Sequence, residues 1–107
     1  MSESLDDDVE PEPDIPEGGL CRILPIVNRR GLHARASAKF VQTVERFAAA
    51  VTVTRGGETV GGRSIMGLLT LGAAKGTTIA VVAVGEDAPA ALDAIEALLA
   101  DRFGEDE

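Results

Sequence analysis

Two hydrophobic periods alternate along this chain, and each change of period marks where one element ends and the next begins. After an acidic start, Leu20–Val27 (LCRILPIV) reads as a strand. Pro25 has no N–H for a sheet ladder and suits an edge. Asn28–Gly31 is a turn. From Leu32 a helical pattern follows, with Phe40, Val41, Val44 and Phe47 on one face. Val51 and Val53 then alternate with Thr52 and Thr54 in a strand over 49–54. Gly56-Gly57 turns that strand into Glu58–Val60 as a tight hairpin. Ser64 precedes the apolar run Ile65-Met66-Gly67-Leu68-Leu69, a short helix with Ser64 as its N-cap. Gly72 and Gly76 close it, and Thr77–Val84 is a strand of nearly all β-branched or apolar residues. A last helix begins at Glu86 or Asp87. Its apolar stripe is Leu92, Ile95, Leu98, Leu99 and Phe103, with Asp93, Glu96 and Asp101 outside it.

The order β-α-β-β-α-β-α contains an antiparallel hairpin, and the helices are able to cover one face of one sheet. The class is therefore α+β, a two-layer sandwich. The length of 107 residues allows one domain. A domain of residues 20–104 buries enough surface, about 60–65% of that of its unfolded chain, to fold without staples. The single Cys21 has no internal disulfide partner and reads as a small buried hydrophobe.

Charge divides the chain. Residues 1–19 carry eight acids (Glu3, Asp6, Asp7, Asp8, Glu10, Glu12, Asp14, Glu17), Pro11, Pro13 and Pro16, and no Lys or Arg. Such a segment repels itself and reads as a disordered tail. The formal net charge of −8 belongs to that tail, and the remainder holds equal numbers of acids and bases. Residues 105–107 are expected to fray. The acidic N-terminus does not resemble a secretory signal, and no apolar run reaches the ~18 residues of a membrane span. We expect a soluble cytoplasmic protein without membrane insertion. Nucleic acid is an unsuitable partner, since there is no basic stripe, Tyr or Trp. One His and one Cys make no zinc site. The Gly72–Thr77 segment has a P-loop's residues in the wrong order, with Lys75 before Gly76 and a strand after them. We expect no cofactor and no metal.

His33 is the only histidine, and it sits where a glycine turn meets a helix start. Free N–H groups at a helix start favour an anion, and Arg35 adds a guanidinium two residues on. This setting suits a phosphoryl group on the imidazole and leaves the free ring neutral and nucleophilic. Taken alone, a single histidine at a helix start is more often structural or solvated. Arg29, Arg30 and Lys39 flank it as steering charges for an acidic partner or as ordinary solvated charge. Ser37, one turn on, reads as a helix-surface serine.

Two longer strings change that balance. VNRRGLHARASAKFVQ resembles the active-site segment of the HPr family, the histidine-containing phosphocarriers of the bacterial phosphotransferase system. RSIMGLLTLGAAKGTTI resembles that family's regulatory-serine segment and the strand after it. The resemblance covers residues 20–104. It implies an open-faced two-layer sandwich, a four-stranded antiparallel sheet covered on one face by three helices. It implies a carrier rather than an enzyme, with His33 accepting phosphoryl on Nδ1, Arg35 contacting the phosphate and Ser64 as a regulatory phosphosite. The implied partners are enzyme I as donor, enzyme II-type A domains as acceptors, and an HPr kinase/phosphorylase acting on Ser64. Ile65, Met66, Leu69, Arg29 and Arg30 would form the docking surface, on a monomer, and Arg35, Lys39 and Arg63, which precedes Ser64, add to its basic charge. Many members have Pro where Ala36 stands, which leaves sugar uptake and a nitrogen-type regulatory system both open. The alternative is a regulatory binding module whose phosphorylation state controls docking to a kinase or regulator.

Overall fold

The computed structural model describes residues 14–107. Most of the expected acidic tail, residues 1–13, lies outside them. Residues 14–19 lead in through a turn, with the Gly19 N–H bonded to Pro16 O at 2.8 Å. The elements follow in the expected order: β1 (Leu20–Pro25), α1 (Ala34–Val44), β2 (Ala50–Arg55), β3 (Glu58–Gly61), α2 (Ile65–Thr70), β4 (Thr78–Val84) and α3 (Ala88–Ala100). The strands form one antiparallel sheet in the order β1-β4-β2-β3. β1 is an edge strand, and Pro25 ends it opposite Thr78.

Strand alternation sorts the sheet into two faces. Leu24, Val51, Val53, Ile79, Val81 and Ala83 share a core with Phe40 and Val44 of α1, Leu68 of α2, and Leu92, Ile95 and Leu99 of α3. Ile23, on the opposite face of β1, is 61% exposed. This is the two-layer α+β sandwich anticipated from the patterning. The hairpin turn uses Gly56 and Gly57 at φ +60° and +83°, the left-handed pair that matches strand twist.

Two helix ends differ from expectation, each for a physical reason. α1 stops at Val44 rather than reaching Phe47. The Arg63 guanidinium donates to Ala49 O at 3.1 Å, Phe47 O at 3.2 Å and Val44 O at 3.5 Å. A cation there satisfies carbonyls at the negative end of the helix. Phe47 packs on the core from the loop instead. α3 stops at Ala100, yet Phe103 is 1% exposed. The chain brings it inward through a 3-10 turn, Arg102–Gly104, with Arg102 and Phe103 both at φ 56°. Left-handed backbone costs roughly 1–2 kcal/mol per residue. Burial of a Phe ring, about 1.5–3 kcal/mol, offsets much of that. The result turns the chain end back across the N-terminus of α1.

Phe103→Ala should therefore destabilise the fold by about 3–5 kcal/mol in urea unfolding. A midpoint equal to wild type would contradict this role.

Candidate functional site

The site is built on a loop that glycine alone suits. Gly31 has φ +67°, and a Cβ there would lie 2.4 Å from Ala73 O. The close approach lets the Leu32 N–H bond Ala73 O at 2.9 Å. Asn28 closes the same turn from inside. It is fully buried, and its Nδ2 donates to Gly31 O at 2.9 Å. The chain leaves this clip with His33 as the N-cap of α1, in extended backbone at φ −75°, ψ −177°.

The imidazole folds over the first helical turn. Its Nδ1 accepts the Arg35 backbone N–H at 3.3 Å. Its Nε2 is bonded to Glu105 Oε2, and Glu105 Oε1 accepts from Asn28 Nδ2 at 3.0 Å. Burial alone would push the Glu105 carboxyl up. The hydrogen bonds from Asn28 and His33, with the charge of Arg30, outweigh it and hold the group below the ordinary carboxyl value. An ionised carboxylate only accepts, so Nε2 carries the proton in this pair. An N–H aimed at Nδ1 leaves that nitrogen with its lone pair.

Arg29, Arg30, His33, Arg35 and Lys39 line one groove, with Gly104, Glu105, Asp106 and Glu107 along its margin. Arg29 pairs with Glu107 at 2.7 Å, and Lys39 Nζ donates to Phe103 O at 2.6 Å. The Arg35 guanidinium forms no ion pair among the described residues. The groove therefore offers Arg30 and Arg35, cations without an ion pair among the described residues, around a ring nitrogen that accepts the Arg35 N–H.

Ser64 is the N-cap of α2, and its Oγ accepts the Gly67 N–H at 2.9 Å. Ile65 and Met66 are exposed, Met66 at 71%, while Leu69 is half-buried and Leu68 is buried. α1 and α2 pack against each other.

Three expectations need correction. Residues 105–107 do not fray: Glu105 meets His33 and Asn28, and the Arg29 N–H bonds Glu107 O at 2.7 Å. Ser37 is buried rather than on the surface, its Oγ donating to Leu32 O at 3.2 Å. Arg63, grouped with the docking charges because it precedes Ser64, is committed to the end of α1. Asn28 and Glu105 went unrecognised as parts of the site. Signals for both existed: an Asn three residues before an obligate Gly is a turn-closing side chain. A Phe that continues an apolar stripe just before Gly implies that the chain end returns to the body.

The family model for the PTS HPr component phosphorylation site matches residues 21–101. The chain is 46% identical over 88 residues to phosphocarrier protein HPr of Cupriavidus necator, covering 82% of this chain and 99% of that protein. It is 42% identical over 84 residues to phosphocarrier protein NPr of Shewanella violacea, covering 78% and 92%. A crystal structure of HPr from Thermoanaerobacter tengcongensis superposes with a TM-score of 0.78 at 35% identity, covering 82% and 99%. Fold and site thus define a phosphocarrier protein of the phosphotransferase system, which carries a group and is not itself a catalytic enzyme. The chain belongs to the HPr family.

Because the Glu105 carboxyl is held low in the fold, its charge contributes stability above the unfolded carboxyl value. That contribution is lost as pH falls through the lowered folded value. Wild type should exceed Glu105→Gln in urea stability at pH 7, and the difference should vanish in acid. A pH-independent difference would contradict the pairing. Gly31→Ala should also destabilise, since both its φ and the Ala73 carbonyl oppose a methyl group; a urea midpoint equal to wild type would count against that clash.

Proposed function

We propose that His33 is the phosphoryl acceptor, through Nδ1, and that Arg35 holds the transferred group. The observation that carries this reading is the Nδ1 lone pair in one groove with the Arg35 guanidinium, which has no ion pair among the described residues, at the start of α1. Phosphate there meets helix N–H groups and a fixed cation, both of which favour an anion. The donor is phosphorylated enzyme I, and the acceptors are enzyme II-type A domains. The system is one of sugar uptake or of nitrogen-type regulation; relatives named HPr and NPr match comparably. The carrier unit is residues 20–107 with the acidic segment 1–19 appended, acting as a cytoplasmic monomer.

Partners dock on Ile65, Met66 and Leu69 with Arg29 and Arg30 steering. The exposure of Met66 and Ile65 next to the site helix supports this surface. Ser64 lies at its edge. Phosphate added by an HPr kinase/phosphorylase would place about −1.5 to −2 charges there, opposing partners that approach a basic face. A second reading, a binding module controlled by phosphorylation, rests on the same exposed Met66 beside Ser64.

The test mixes the protein with enzyme I and phosphoenolpyruvate and weighs it by mass spectrometry. One acid-labile phosphate on wild type and none on His33→Ala is expected; label that persists on His33→Ala would end the reading. Arg35→Ala should slow transfer by at least about tenfold. Ser64→Asp should slow acceptance from enzyme I, and unchanged kinetics would remove the docking argument. Onward transfer to an A domain separates the carrier from a pure binding module.

A further inference from the structure

The geometry points to Asn28 and Glu105 as positioning residues for phosphoryl transfer, an amide–carboxylate–imidazole chain that presents Nδ1 and offsets the charge formed on the ring. The inference rests on His33 being the acceptor. Three observations outside that reading support it. The Glu105 carboxylate is bonded to the ring nitrogen remote from the helix. Its other oxygen is held by an amide that is fully buried. The Asn28 Oδ1 has no hydrogen-bond partner among the described residues. A buried amide carbonyl left unpaired is uncommon and calls for an explanation. Here the amide is aimed by its Nδ2, which joins the Gly31 turn to Glu105.

The chemistry gives the chain its use. A neutral ring enters with its proton on Nε2. The Nδ1 lone pair forms the new N–P bond, while the donor's bond to phosphorus breaks and its electron pair stays with the donor. No proton needs to leave the ring, so the imidazole acquires a positive charge with Nε2–H intact. The Glu105 carboxylate is already in place against that charge, which is the preorganised electrostatic arrangement that lowers a barrier. On transfer to an acceptor, the N–P bond breaks and its pair returns to Nδ1. The ring then departs as neutral imidazole, a better leaving group than an imidazole stripped of its Nε2 proton. Glu105 serves this by keeping the proton where it is. Arg29 pairs with Glu107, and the charge of Arg30 acts on Glu105, so the acidic chain end is held at the groove.

Sequence position makes the test clean. Glu105 lies beyond α3 and beyond the buried Phe103, so Glu105→Ala leaves the core untouched. Two readouts apply. The first is the Nε2–H resonance of His33 in ring-selective 1H–15N spectra of the unphosphorylated protein, with the ring neutral. The second is the split between turnover and KM when the carrier is the substrate of enzyme I with phosphoenolpyruvate. We expect Glu105→Ala to shift or broaden away the Nε2–H signal and to lower turnover about tenfold, the scale of one charged hydrogen bond, with KM little changed. Asn28→Ala should act in the same direction, and the double variant should be no slower than Glu105→Ala alone. If Asn28→Ala fails to fold, the Glu105→Ala results decide. A wild-type Nε2–H signal together with wild-type turnover in Glu105→Ala overturns the proposal. So does a rise in KM with turnover unchanged, which would make the chain end a docking element. Wild-type behaviour of Asn28→Ala beside a slow Glu105→Ala removes Asn28 from the chain. The spectra need no phosphoryl donor, so failure of the ring pair is distinguishable from failure of His33 to accept phosphate.

Discussion

The site depends on one close approach, the Gly31 loop against the Ala73 carbonyl. With no Cβ and a positive φ, Gly31 brings its backbone close enough for the Leu32 N–H to bond Ala73 O. That bond ties the loop before α1 to the loop after α2. It also decides where α1 begins, and so makes His33 the residue that precedes the first helical turn. Every other feature of the site follows from that placement. The ring lies over the first helical turn with Nδ1 accepting the Arg35 N–H, Arg35 stands two residues on, and Asn28 is locked beneath the turn.

A second constraint comes from the far end of the chain. Phe103 completes the apolar stripe of α3, but only after the helix has stopped. The left-handed turn that buries it sends residues 105–107 back over α1. Acids thereby enter a groove of bases. Glu107 occupies Arg29 and Glu105 occupies the ring, while Arg35 keeps no ion pair among the described residues. The charge pattern is therefore selective. Arg29 is balanced by Glu107, and Arg30 and Arg35 are left without an ion pair among the described residues.

Much of this was legible beforehand, because it rests on short-range rules. Strand alternation, the Gly56-Gly57 hairpin, the Ser64 cap and the turn before His33 are each written within a few residues. The fold class followed from their order. What stayed hidden depends on contacts between distant positions. Arg63 reads as one more exposed docking charge, and only the fold shows its guanidinium donating to carbonyls at the end of α1. Ser37 looked solvent-facing because a serine on a helix has no periodic signature of burial. Glu105 looked frayed because three acids in five residues read as solvent-loving, and only the burial of Phe103 shows where they are carried. Family resemblance covered residues 20–104 and so stopped one residue short of the carboxylate that meets the ring.

The central claim is that the two ring nitrogens of His33 have different tasks, with Nδ1 taking the phosphoryl group and Nε2 keeping its proton. The most direct measurement is 31P–15N coupling in protein labelled on the histidine ring and phosphorylated through enzyme I. The account predicts a one-bond coupling from phosphorus to Nδ1, with Nε2 still protonated. Coupling to Nε2, or a phosphorus signal with no histidine nitrogen attached, would contradict it.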